Sequence, residues 1–184
     1  MQRRLCLRWL AGGAAFCLLS GHSPYRQWDV YRKARLVLLA SAADETSVRL
    51  AQALAEIYEK RLPESRATYA RARDTNDLVR LLASKQLEVA LMREGEAYAA
   101  FAGAAPFADN GRVALSTLAA LSGHLFVCRE EVPKAAAYLL VEALAAGWSE
   151  IDSALVDTTS GPKPSRALRV PLHAGAIEYY DDHR

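Results

Sequence analysis

Apolar and polar positions change period several times after residue 35, and each change marks an element. Arg35-Leu-Val-Leu-Leu-Ala-Ser41 is apolar on both faces, with a charge before it and turn chemistry after it. That pattern predicts a strand buried in the middle of a sheet. Thr46 to Leu62 follows with Leu50, Leu54, Ile57 and Tyr58 on one helical face. Arg66 to Arg73 alternates as a second strand, and Asp74 then caps a helix that turns Leu78, Leu81 and Leu82 inward. Leu87 to Met92 predicts a third strand, and Glu94 to Ala102 an alanine-rich helix stopped by Gly103. This β-α-β-α-β-α order predicts a parallel α/β sheet. Val113 to Leu121 and Leu125 to Arg129 are apolar strands joined at Ser122-Gly123-His124. Pro133 opens the next helix, which carries Tyr138, Leu139, Val141 and Leu144 to Gly147-Trp148. Ile151 to Leu155 reads as a turn, Asp157 to Pro164 as a loop, and Ala174 to Asp182 as a last short helix. The expected fold is α/β, a single doubly wound, mainly parallel sheet.

Open sheets of this kind bind ligands beyond the C-terminal ends of their strands. Here that region begins at Ser41 and includes Thr46. Arg71 and Arg73 close the second strand, Arg93 follows the third, and Arg129 follows the fifth. Arg71, Arg73 and Arg93 are expected to converge on one edge beside the Asp74-capped helix. Arginines and a helix N-terminus together attract carboxylates or phosphates. The candidate ligand-binding residues are therefore Ser41, Thr46, Arg71, Arg73 and Arg93. The competing reading makes Ser41, Asp44 and Thr46 helix caps and pairs the arginines with Asp74, Asp77, Glu94 and Glu130.

The first 22 residues have a different character. Arg3, Arg4 and Arg8 precede Trp9 to Leu19, eleven residues without a charge. This is a basic flank and an apolar run of signal-peptide length, read as a signal peptide or an N-terminal membrane anchor. Residues 23–33, with Tyr25, Trp28 and Tyr31 among basic residues, form a connector suited to a membrane surface. Residues 34–184 make one α/β domain. The expected location is the periplasm, at the inner membrane through the N-terminus. The targeting segment holds three of the 23 basic residues and none of the 21 acidic ones, leaving 20 against 21, a net charge of −1. No basic field argues for nucleic acid.

Chemistry-bearing motifs are sparse. There is no GxSxG, HExxH, Walker loop or GxGxxG, so no enzyme activity is expected. Cys6 and Cys17 lie in the targeting segment and Cys128 is alone in the domain, with no Cys/His grouping at metal spacing. No metal or cofactor is expected. His124 and Cys128 are four apart, but no acid stands near them in sequence; a buried thiol and a loop histidine are the expectation. His173 is expected in a structural turn.

The closing stretch Val170-Pro-Leu-His-Ala-Gly-Ala-Ile-Glu-Tyr-Tyr180 resembles the C-terminal signature of the TAXI-type solute-binding receptors of tripartite ATP-independent periplasmic (TRAP) transporters. The opening strand and helix, the Asn76-to-Leu82 helix and the Leu87-to-Met92 strand fall in the family's order. The resemblance implies one lobe of a type II periplasmic binding protein and a non-catalytic solute-binding role. It also implies a small anionic solute and TRAP membrane subunits as partners. The chain departs from the family in three places: Ser41 to Ser47 contains no glycine where the family's loop is glycine-rich, Arg71-Ala-Arg-Asp-Thr75 stands where the family has Thr-Gly-Gly-Ser, and Leu125 to Arg129 runs almost directly into a late helix, so a single lobe is expected. One lobe leaves its ligand partly wet, and binding should be weak. The alternative from a different class is a membrane-anchored periplasmic interaction module without solute binding.

Overall fold

A computed structural model describes residues 35–156, 161–162 and 169–183. Residues 1–22, read as a signal peptide or anchor, and the expected connector over 23–33 lie outside the described residues, as does most of the expected loop over 157–164. One five-stranded sheet is built from β1 (Val37–Ser41), β2 (Thr68–Ala72), β3 (Val89–Arg93), β4 (Leu115–Leu121) and β5 (His124–Arg129), in the order β2-β1-β3-β5-β4. β1 pairs in parallel with both β2 and β3, while β5 runs antiparallel to β3 and β4. The α/β single-sheet architecture is as the sequence predicts. The sheet is mixed because β4 returns directly through a two-residue turn, whereas parallel strands need a crossover connection of a dozen or more residues. Ser122 and Gly123 both take positive φ, 46° and 85°. This is the backbone of a type I′ hairpin.

Helices cover both faces. α1 (Glu45–Arg61), α4 (Lys134–Ala146) and α5 (Ala174–Asp182) lie on one face; α2 (Thr75–Ala83) and α3 (Glu94–Ala102) lie on the other. The strands alternate between the two cores. Leu38, Ala40, Val89, Leu91, Phe126 and Cys128 enter the first, whereas Leu39, Ala90, Met92, Leu125 and Val127 enter the second. Among the described residues no helix is long and apolar enough to cross a membrane.

The Pro171-Leu-His-Ala-Gly175 segment docks the end of the chain. Leu172 bridges Thr117 in parallel, with Thr117 N–H donating to the Pro171 carbonyl (2.7 Å) and His173 N–H to the Thr117 carbonyl (2.9 Å). His173 caps α5 by accepting the Gly175 N–H at Nδ1 (3.1 Å). Burial lowers its basicity, against the opposing pull of hydrogen bonds to the backbone of Val132 and Glu130. Gly175 lies against α4 so closely that a Cβ there would stand 2.2 Å from the Lys134 carbonyl oxygen. Leu172, His173 and Gly175 are thus accounted for by the docking of α5.

Candidate functional site at the strand ends

β1 and β3 end side by side, and their following loops leave in opposite directions. The chain after β1 enters α1 on one face; the chain after β3 enters α3 on the other. This is the switch point where open α/β sheets place ligands. Antiparallel β5 brings its first residue to the same end, with His124 directly opposite Arg93.

Three side chains meet there. Asp44 Oδ2 is 2.9 Å from His124 Nε2 and 3.2 Å from Arg93 Nε. Asp44 and His124 side chains are 8% and 10% exposed, whereas that of Arg93 is 57% exposed. Asp44 occupies the N-cap position of α1, but its side chain makes no capping hydrogen bond. A capping bond is worth about 1 kcal/mol, and hydrogen bonds to a charged group contribute about 1.5–3 kcal/mol. The carboxylate is therefore better held by His124 and Arg93 than by its own helix. Burial alone would raise the Asp44 pKa, but the His124 and Arg93 contacts outweigh it and hold the carboxyl below its ordinary range. The other ring nitrogen, His124 Nδ1, is buried with no hydrogen-bond partner among the described residues.

A second polar group sits on the opposite face. Thr75 Oγ1 donates to Glu96 Oε1 (3.3 Å) and lies 3.4 Å from Ser41 Oγ, which in turn accepts the Ala43 N–H (3.4 Å). The pleat separates the two groups. Ser41 pairs with Ala72 of the second core, while Arg71 pairs with Ala40 of the first.

The expected anion cluster is therefore divided. Ser41 is buried on the α2/α3 face, and Thr46 is exposed in the first turn of α1. Arg71 shares a face with Arg93, but β1 lies between their strands, a backbone separation of roughly 10 Å. Arg73 is bound to Asp74 (3.4 Å), a pair open to solvent. Asp74 itself caps α2 as expected, accepting the Asp77 N–H at 2.8 Å. Arg129 lies at the other end of the sheet, because β5 is antiparallel; it is buried and donates to the Leu82 carbonyl (2.9 Å). A cleft of about 210 Å³ also lies at that other end, lined by Arg35, Val37, Lys85, Gln86 and Glu88 among others.

His124 corrects a second expectation. It is the first residue of a strand, and an acid 80 positions away is brought against it. Proximity in sequence gave no sign of that acid; the one available signal was an Asp at a predicted helix start, which local chemistry assigns to capping. Cys128 is buried as expected, and burial pushes its thiol pKa far up. Among the described residues no group of three or more His, Cys, Asp or Glu side chains could hold a metal ion.

No protein-family model matches the chain, and no curated protein matches it either.

Proposed function

We propose that this chain is a non-catalytic solute-binding-like domain related to the TAXI receptors of TRAP transporters, held on the periplasmic side of the inner membrane. Its ligand is a small carboxylate, recognised at the ends of β1 and β3, and TRAP membrane subunits are its expected partners. The observation that carries this reading is the convergence of Arg93 and His124 on a carboxylate at the switch point of the sheet. The C-terminal signature supports the kinship. With a single lobe the ligand stays partly wet, so its affinity is on the order of millimolar, about −4 kcal/mol.

The test is a thermal-shift screen of dicarboxylates and amino acids at tens of millimolar. A saturable rise in melting temperature that Arg93→Met abolishes and Arg61→Ala retains would support it. Arg61 is a fair control, since it pairs with Glu150 at the far end of α1. A wild type that no carboxylate shifts would refute solute binding.

A second reading, a membrane-anchored interaction module, is favoured by a specific observation. Asp44 already satisfies Arg93 and His124, and Asp74 engages Arg73. Of the arginines expected to form the anion site, Arg71 then stands without an ion pair among the described residues, on a strand separated from Arg93 by β1. Co-purification with transporter membrane subunits without any solute response would favour this reading.

A further inference from the structure

The Asp44 side chain behaves as a ligand would. It enters the switch point from the loop after β1, leaves its helix cap unmade, and is gripped by a guanidinium from β3 and an imidazole from β5. The burial of the His124 ring is compensated through that contact alone, because Nδ1 has no partner among the described residues. An imidazole and a guanidinium facing a buried carboxylate are complementary to any carboxylate of the same size.

We propose that Arg93 and His124 form a carboxylate-binding subsite whose resident occupant is the chain's own Asp44. Vacating it converts the strand-end face into a site for a small exogenous carboxylate. The proposal rests on the functional reading above only for the choice of ligand class; it concerns occupancy by the chain itself, whichever solute the wild type takes.

Truncating Asp44 to alanine removes a carboxylate group and leaves a space matched to formate. The α1 backbone does not depend on the lost side chain, since the Asp44 carbonyl still accepts the Val48 N–H (3.2 Å). The experiment is chemical rescue of Asp44→Ala in the full-length chain, with sodium formate against sodium chloride at equal ionic strength. With a dissociation constant on the order of 10 mM, 100 mM formate should raise the melting temperature of Asp44→Ala by about 4 °C above chloride. Acetate should do less, its methyl group exceeding the vacated space. Wild type, in which Asp44 competes for the subsite, should show a smaller formate-specific rise than Asp44→Ala, and Asp44→Ala combined with Arg93→Met should lose it.

Equal melting in formate and chloride, or a rise that persists without Arg93, would overturn the proposal. Asp44→Ser covers a failure of the alanine variant to fold, because serine can cap α1 while still vacating the subsite. The same formate-specific rise is expected of it, and its absence would be decisive against the proposal. The outcome is separable from the functional reading. Rescue of Asp44→Ala beside an unresponsive wild type would support the occupied subsite while refuting solute capture. A solute-responsive wild type whose Asp44→Ala variant ignores formate would do the reverse.

Discussion

Replacing Gly175 by alanine should destabilise the domain through a contact that side-chain repacking cannot relieve. Gly175 is buried in the first turn of α5, where a Cβ would lie 2.2 Å from the Lys134 carbonyl oxygen, 2.8 Å from the Tyr138 nitrogen and 2.9 Å from the Ala137 Cβ. Two of those atoms are backbone, so α4 and α5 must part by roughly 1 Å. Overpacking typically costs about 1–3 kcal/mol, and a backbone collision belongs at the upper end. Alanine regains at most about 1 kcal/mol of helix propensity. The net loss is about 2 kcal/mol, which lowers the melting temperature by about 4–8 °C in a domain of this size. In urea the midpoint should fall by about 1 M at an unchanged slope. Gly95 supplies the contrast: it is exposed in the first turn of α3, and a Cβ there meets nothing within 4 Å. Gly95→Ala should be neutral or stabilising by about 0.5 kcal/mol. An unchanged midpoint for Gly175→Ala would refute the close docking of α5. Equal losses in both variants would show that the effect is not steric.

Two further outcomes follow from titratable groups. Asp44, facing Arg93 and His124, is more acidic folded than unfolded, so its contribution is present above about pH 4 and fades as the pH falls through its lowered folded value. The stability gap between wild type and Asp44→Asn, measured by urea titration, should therefore be largest near neutrality, about 2 kcal/mol, and shrink below pH 4; a gap that grows on acidification would contradict this. Cys128 is fully buried with a raised pKa, so its peptide should resist iodoacetamide in the native protein and label only in denaturant, and native labelling would show that β5 opens.

Most elements could be read from local periodicity. The Leu36-to-Ser41 run, the 3.6-residue stripe Leu50-Leu54-Ile57, the Asp74 cap and the Ala174-to-Asp182 helix each depend on neighbours within a few positions, and each stands as expected. Burial of Cys128 was equally local, carried by an apolar run, and so was the break between two strands at Ser122-Gly123, although the structure moves His124 out of that connection and into the strand. The sequence by itself pointed to the C-terminal ends of the strands, from Ser41 onward and at Arg71, Arg73 and Arg93, because open α/β sheets offer that region to ligands. Only the tertiary structure decided which side chains meet there. Pleat parity put Ser41 and Arg71 on opposite faces, although both close neighbouring strands. The antiparallel direction of β5 sent Arg129 to the far end and brought His124 beside Arg93. Asp44 carries the ordinary signature of a helix cap, and that signature is overridden by two partners far away in sequence. A cap competes within one turn of helix, whereas a buried carboxylate goes where the strongest donors stand, and those donors are assembled only when strands distant in sequence are laid side by side.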